Sequence, residues 1–397
     1  MRNRVIYHIE FAKNWDIAAS GGEICMLELV KYLVSQGEKN CILTTEKWKQ
    51  AFLDRGLVES EYLSFRIIST EDPTSRLKLL MNYFKRLFLS YKLIKNLQIN
   101  DNDLLICHSD FFPNSLPLYW LSQRNLKVRF FYFFHMKYPS IFRGYEWEFL
   151  WRFRVPRLGM IYLKLNQLLY LYIINRIGKG DIIAVNPYYK RYLTKKISNQ
   201  NIKTYFLKIF GGVEIPKIEG KERVYDVAWM GRFHEQKGIS EFFDVIDRLK
   251  KRKKDLKVLV IGGGSKESEL EFTENVRMLD LEDNIDYKGF LNGKERFEIL
   301  SQVKIFLMTS YFEWRPIVML ELLKLWIPIV SYDLPVYWVY NKGVKKVWIL
   351  NNDQFSKEVC CLLENEDLYN KLSIEAKEFS KDYSWENTGE EIYNLMK

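Results

Sequence analysis

Two doubly wound parallel-sheet α/β domains, facing one another across a cleft, are what this sequence predicts, and three observations lead there. At 397 residues the chain exceeds one ordinary hydrophobic core. Short apolar runs alternate with stretches of helical spacing, which is the rhythm of βαβ units and a parallel sheet. That rhythm breaks at 211–220, GGVEIPKIEG, and then starts again. A stretch with glycine, proline and charge but no periodicity reads as a connection. The expected organisation is therefore a first domain at 1–212, a linker at 213–224 and a second domain at 225–375, with 376–397 a C-terminal helix packing back toward the first domain.

In chain order, the short and mostly apolar runs at 5–11, 41–45, 104–107, 129–134 and 182–185 read as buried strands. The first helix is expected at 24–34. In the second domain 227–230, 258–261, 305–308 and 329–331 read as strands, with helices at 240–251, 266–279 and 316–325. Two segments of the first domain depart from this rhythm. Residues 76–97 carry six basic and no acidic residues, with Leu80, Phe84, Leu87, Tyr91 and Ile94 at helical spacing and Lys78, Lys85 and Lys92 beside them. Residues 145–179 mix Trp147, Trp151, Tyr162, Tyr170 and Tyr172 with Arg152, Arg154, Arg157, Lys164 and Arg176. Such segments suit a lipid headgroup layer, or two helices packed on the sheet with their charges in water.

Composition narrows the function. A chain 48% hydrophobic and 28% charged folds, and a net charge of +10 favours anionic partners. Five cysteines without CxxC spacing point to a reduced, cytoplasmic compartment. The most apolar long stretch, 158–177, contains Lys164, Asn166, Gln167, Asn175 and Arg176, so it lacks the clean span of about 20 apolar residues that a bilayer crossing needs. The protein is expected to be soluble, or peripheral on the inner face of the cell membrane.

The sharpest local signal follows the strand at 303–308: Thr309-Ser310-Tyr311-Phe312-Glu313-Trp314-Arg315-Pro316, then a helix. Pro316 has the φ favoured at a first helical position, and the amides of Ile317, Val318 and Met319 would face an anion there. Glu313 and Glu321 suit sugar and ribose hydroxyls above the strand ends, where open parallel sheets bind ligands. Taken alone, glutamates flanking a helix are ordinarily solvated. Arg232 and Lys237, in Gly231-Arg232-Phe233-His234-Glu235-Gln236-Lys237-Gly238, could clamp a diphosphate or form an exposed basic loop. Gly262, Gly263 and Gly264 permit close approach of a ligand to the backbone. Glu267 stands where a dinucleotide fingerprint needs its third glycine, which argues against an NAD enzyme.

In the first domain Gly21 and Gly22, after Ala19 and Ser20, lie between the first strand and helix, and His135 closes the aromatic run 130–134. His108-Ser109-Asp110 is no triad, because neighbours on an extended segment point to opposite faces. Asp101-Asn102-Asp103 imitates a metal-binding DxD motif but precedes its strand, away from the ligand edge. Four histidines without ligand spacing argue against zinc. No metal or other cofactor is expected.

Taken together and in order, the Gly21-Gly22-Glu23 turn, His135, Gly211-Gly212-Val213-Glu214, the Gly231-Arg232 to Lys237-Gly238 motif, Gly262 to Gly264, and Glu313 with Glu321 resemble glycosyltransferase family 4 over nearly the whole chain. Members are retaining enzymes of the GT-B fold, two Rossmann-like domains. The resemblance implies that Arg232 and Lys237 hold the donor's diphosphate, Glu313 meets the transferred sugar, Glu321 meets the ribose and His135 lies beside the sugar. Gly21, Gly22, Gly263, Ile317 and Val318 complete the implied donor contacts. It further implies transfer of a hexose-type sugar from a nucleotide-diphosphate donor to a glycan or lipid-linked acceptor, as in cell-envelope polysaccharide synthesis, with an anionic membrane surface a further partner. Trp314 and Arg315 stand where members usually have glycine and an aromatic, and Trp326 where glycine is common. Two other readings are a nucleotide-sugar epimerase of the same fold and a non-catalytic membrane or nucleic-acid scaffold. The clustering of cations and carboxylates at strand ends, with no RNP-type aromatic pattern, speaks against nucleic acid.

Overall fold

Apolar runs bounded by turn residues become strands, and the chain returns through an α-helix in each crossover but the one after Tyr332, which uses a 3-10 turn at Pro335–Tyr337; every strand pairing is parallel. The computed structural model describes residues 4–12, 21–70, 76–124, 127–138, 157–208, 210–217, 222–313 and 315–397. Ala19, Ser20, Trp147, Trp151, Arg152, Arg154 and Trp314 lie outside the described residues.

The chain divides into two units, Met1–Phe210 with Trp385–Lys397, and Gly211–Ser384. The first unit contains β1 (Val5–Glu10), α1 (Gly21–Ser35), β2 (Lys39–Thr45), α2 (Glu46–Leu53), β3 (Leu63–Ile68), α3 (Arg76–Lys95) and β4 (Leu104–Cys107). It continues with α4 (Phe112–Ser122), β5 (Arg129–Phe134), α5 (Arg157–Ile177), β6 (Gly180–Ala184), α6 (Lys190–Lys196) and β7 (Ile202–Phe206). The second unit contains β8 (Tyr225–Arg232), α7 (Ile239–Lys250), β9 (Val258–Gly263), α8 (Lys266–Met278), β10 (Ile285–Tyr287), α9 (Gly293–Leu300) and β11 (Val303–Met308). It ends with α10 (Ile317–Lys324), β12 (Ile329–Tyr332), β13 (Val344–Val347), α11 (Asn352–Glu364) and α12 (Glu366–Ser380). A last helix, α13 (Trp385–Met396), returns to the first unit, where Ile392 and Met396 share a core with Cys25, Leu29 and Leu33 of α1. Residues 376–384, grouped by sequence with that helix, lie in the second unit, as do the described residues of the expected linker.

The sheet orders are β3-β2-β1-β4-β5-β6-β7 and β10-β9-β8-β11-β12-β13. In both, the strand order reverses beside the first strand of the unit. The reversal leaves the C-terminal loops of β1 and β4, and of β8 and β11, as neighbours with the chain turning away on either side, which is where doubly wound sheets bind ligands.

The helix α3 divides its apolar stripe between the core and the surface. Sequence spacing groups Leu80, Phe84, Leu87, Tyr91 and Ile94 beside Lys78, Lys85 and Lys92, a pattern that suits either a lipid headgroup layer or packing on the sheet. In the structure Tyr83, Arg86, Ser90 and Ile94 are buried, while Phe84 and Tyr91 stand 58% and 47% exposed beside Lys85 and Lys92. The cause is Arg86, whose Nη1 donates to the carbonyls of Phe11 (3.0 Å) and Ala12 (3.3 Å), so a basic residue anchors the inward face. No helix among the described residues is long and apolar enough to cross a membrane.

The C-terminal helix is held by a buried ion pair. Arg4 donates from Nη2 and Nε to the two oxygens of Glu38 (2.6 and 3.1 Å) and from Nη1 to the carbonyl of Met396 (3.2 Å). The hydroxyl of Tyr393 adds a bond to Glu38 Oε1 at 2.9 Å. Removing one member of such a pair strands the other charge in the core. Arg4→Ala is therefore expected to destabilise the first unit by about 3–5 kcal/mol, read by denaturant unfolding. A loss below about 1 kcal/mol, the value of an exposed pair, would show that the anchor is dispensable.

Candidate active site

The turn after β8 begins with a backbone constraint. Gly231 and Arg232 pair with Gly262 and Gly263 on β9, and a side chain at Gly262 would bring Cβ to 1.8 Å from the Gly231 carbonyl. Gly238 closes the turn at φ +66°, where a Cβ would lie 2.0 Å from the carbonyl oxygen of Thr309. Only glycine fits such a position, and its close approach seats the turn on the loop that follows β11. Four hydrogen bonds lace the two loops. Trp229 Nε1 donates to Thr309 Oγ1 (3.0 Å), which donates to the Lys237 carbonyl (3.0 Å). The amide of Tyr311 donates to the Gln236 carbonyl (3.0 Å), and Gln236 Nε2 to the carbonyl of Phe312 (2.7 Å).

On this frame Lys237 Nζ meets Glu313 Oε1 at 2.5 Å, with Glu313 buried and Lys237 partly open. The residues expected to hold phosphate and sugar are thus paired with each other. Arg232 at the tip of β8 is exposed and makes no ion pair among the described residues. Glu321, on α10, is buried and bound through Oε1 to Nη2 of Arg296 on α9 at 2.6 Å. Burial pushes the Glu321 carboxyl up, and Arg296 opposes that shift. Arg296 carries no motif in the sequence, and only the packing of α9 beside α10 reveals it. Both site carboxylates commit Oε1 to a cation, and Oε2 has no hydrogen bond among the described residues. Each therefore keeps acceptor capacity for a hydroxyl.

The start of α10 corrects one expectation. Pro316 is the N-cap, with φ −69° and ψ 116°, rather than the first helical residue, and the Met319 amide already donates to its carbonyl at 3.1 Å. Ile317 and Val318 are half-buried at the helix start, which has no side-chain cap. The glycine turn after β9 is also partly engaged, since the Gly264 amide donates to Glu269 Oε1 at 3.2 Å. Trp326, at the commonly glycine position, sits at φ +62° past the end of α10 with the Lys377 ammonium 3.9 Å from its ring centroid. The backbone there is one that favours glycine. Arg315 is buried.

In the first unit Gly21 and Gly22 are the first two residues of α1. His135 follows β5, and its Nε2 donates to the His108 carbonyl at 2.8 Å. It ends a column of stacked rings, His8 on His108, His108 on Phe133 and Phe133 on His135, with centroids 5.2, 5.1 and 5.8 Å apart. The Asn40 amide nitrogen donates to the Glu38 carbonyl at 2.7 Å, turning Oδ1 toward His8 Nε2 at 3.0 Å. His8 Nε2 is therefore the protonated nitrogen, and its Nδ1 accepts from His108 Nε2 at 2.9 Å. Burial pushes His8 down to about 4 and His108 below the usual histidine range, so both stay neutral. Asp103 accepts from the amides of Val5 (2.7 Å) and Asn100 (2.8 Å), a structural use of the DxD-like segment.

Residues 213–379 match the family model described as Glycosyl transferases group 1. No curated protein matches the chain in sequence. Among solved structures the chain is similar to TarM of S. aureus, with 14% identity, 99% of each chain covered and a TM-score of 0.72. It is similar to the pneumococcal O-GlcNAc transferase GtfA in complex with UDP and GlcNAc, with 12% identity, 100% and 99% coverage and a TM-score of 0.72. Sucrose-phosphate synthase from Thermosynechococcus elongatus gives 15% identity, 99% and 98% coverage and a TM-score of 0.71. The chain thus has the GT-B glycosyltransferase fold from end to end, and its second unit carries the match to the group 1 glycosyl transferases.

Proposed function

We propose that the protein is a retaining glycosyltransferase that moves a hexose-type sugar from a nucleotide-diphosphate donor to a glycan or lipid-linked acceptor in cell-envelope polysaccharide synthesis. The observation that carries this reading is the meeting of Lys237 and Glu313, laced from two loops at the strand reversal of the second unit. GtfA and HepE, two proteins of the same fold, have structures with UDP and a sugar. As the glycosidic bond breaks, negative charge grows on the departing diphosphate. Arg232, Lys237 and the start of α10 supply fixed positive potential for it, so the reaction needs no bound metal. Glu313 Oε2 accepts from a sugar hydroxyl and Glu321 Oε2 from the ribose, while Lys237 and Arg296 hold the two carboxylates in place. Retention follows from attack on the same face, with the leaving phosphate taking the acceptor's proton.

The test is release of UDP or GDP by purified protein from a panel of nucleotide sugars, with and without acceptor. Release that depends on acceptor is expected; conversion of the sugar without release would identify an epimerase, and no chemistry at all a scaffold. In the active pair, Arg232→Ala and Lys237→Ala should each lower kcat/KM by roughly 10²–10³-fold. The double variant should lose less than the product, because both cations serve one diphosphate. Chelator should leave the wild-type rate unchanged, and unchanged rates in the variants would overturn the assignment.

Arg296 gives a pH test. Its cation holds the Glu321 carboxyl down against burial, so Arg296→Ala removes the lowering influence and raises that carboxyl further. A carboxylate that must be ionised to accept from ribose is then lost at higher pH. The acidic limb of the kcat/KM profile should move to higher pH in the variant, and a limb that stays in place would separate Glu321 from donor binding.

Peripheral contact with an anionic membrane belongs to the same proposal, supported by exposed Phe84, Phe88 and Tyr91 beside Lys85 and Lys92 on α3. Basic residues near such a surface contribute roughly 1 kcal/mol each and are screened by salt. Replacing Lys78, Lys85 and Lys92 with Glu should release the protein from anionic vesicles in flotation, whereas wild type that never floats would end the membrane reading.

A further inference from the structure

Beyond the donor side, three lysines of the first unit meet around Tyr192 of α6. Lys137 lies two residues past His135, Lys164 is in the first half of α5, and Lys196 is the last residue of α6. The ring of Tyr192 gathers two of them: the ammonium groups of Lys137 and Lys164 are 5.1 and 5.4 Å from its centroid. Lys196 stands four residues along the helix from Tyr192, on the same face. The support beneath is fully buried Gln167. Its Nε2 donates to the Met136 carbonyl (2.7 Å), and its Oε1 accepts from the Tyr138 amide, the Tyr192 hydroxyl and Lys164 Nζ, each at 3.2 Å. Lys164 also donates to the Tyr138 carbonyl at 2.9 Å.

Ammonium groups so placed oppose one another. Lys164 is pulled down to about 8, first by burial and then by Lys137 and Lys196, and Lys137 is pulled down by burial and by Lys196. Asp110 is the carboxylate that acts on Lys164 in the opposite sense, and it is also hydrogen-bonded by Tyr138. Cations gathered around one ring at that cost are stabilised by a multivalent anion, and donors arriving from the segment after β5, from α5 and from α6 suit the oxygens of a tetrahedral one. We propose that Lys137, Lys164 and Lys196 form a binding site for a phosphate group of the acceptor, beside His135. The acceptor part of this rests on the glycosyltransferase reading above; the anion site does not. A phosphate here has two sources, a lipid-linked diphosphate or a soluble phosphodiester polymer.

The experiment is limited reductive methylation of the full chain at constant ionic strength, with label on each lysine read by mass spectrometry. Inorganic pyrophosphate should protect Lys137, Lys164 and Lys196 while exposed Lys78 and Lys266 label as before. In Lys164→Gln the concentration that protects Lys137 should rise roughly 10-fold, the weight of one charge-assisted hydrogen bond, and Lys164→Arg should restore it. Arg232→Ala, which alters only the second unit, should leave this protection intact. Protection of all lysines alike, or of none of the three, overturns the site. A prenyl diphosphate in phosphatidylcholine vesicles and a soluble glycerol phosphate oligomer form the second arm. Protection by the first assigns a lipid-linked acceptor, protection by the second a polymer, and protection by neither overturns the acceptor role. Because labelling reads occupancy and not turnover, protection in a protein that transfers no sugar would reject the reaction while keeping the anion site.

Discussion

The parallel pairing of β8 with β11, Val303 against Tyr225 and Ile305 against Val227, is the contact on which the second unit's chemistry depends. These strands are neighbours in space, yet the chain leaves them in opposite directions, toward β9 and toward β12. Their C-terminal loops therefore meet above the sheet. A cation and a carboxylate 76 residues apart in sequence come into contact without either loop having to find the other. The glycines at 238 and 262 serve that meeting by removing the side chains that would hold the backbones apart. Polar groups fixed in this way need little reorganisation when charge develops beside them, which is the physical basis of electrostatic catalysis.

Buried charges in this molecule fall into two kinds. Glu38 uses both oxygens, on Arg4 and Tyr393, and Arg86 is spread over backbone carbonyls. Such groups are saturated, and their role ends with the fold. Glu313 and Glu321 are buried to a similar degree but each engages one oxygen only. A half-satisfied buried carboxylate is unfavourable in isolation, and it gains when a hydroxyl arrives. The difference between a structural carboxylate and a binding one is thus visible in hydrogen-bond saturation, where burial alone does not separate them.

The same contrast explains what could be read from the sequence. The nine strands expected from apolar runs are all present, and the four that escaped notice, β3, β7, β10 and β13, are the four sheet edges. A central strand is covered on both faces and is mostly apolar, as Phe130 to Phe134 are. Edge strands such as β13, VKKV, are half-exposed and carry charge, so their residues look like loop. Arg232, Lys237, Glu313 and Glu321 were legible because strand ends and glycine turns mark the ligand edge. Arg296, His8 and the lysines about Tyr192 were not, because each acquires its surroundings from an element distant in sequence. The burial of Arg86 on α3 escapes the sequence for a related reason: Arg86 reads as a surface cation until the carbonyls of Phe11 and Ala12 are seen to hold it.

The return of α13 to the first unit has a consequence for biosynthesis. Residues 211–384, 174 in number (384 − 210), form the second unit and are translated before the helix that completes the first. At about 5–20 residues per second the ribosome spends roughly 10–35 s on them. Throughout that interval the groove on α1 that receives Ile392 and Met396 is uncovered, and Arg4 and Glu38 await the carbonyl of Met396 and the hydroxyl of Tyr393. The second unit, by contrast, has all its strands as soon as it emerges. The nascent chain therefore closes its later half first, and its opening half becomes whole only once α13 has followed.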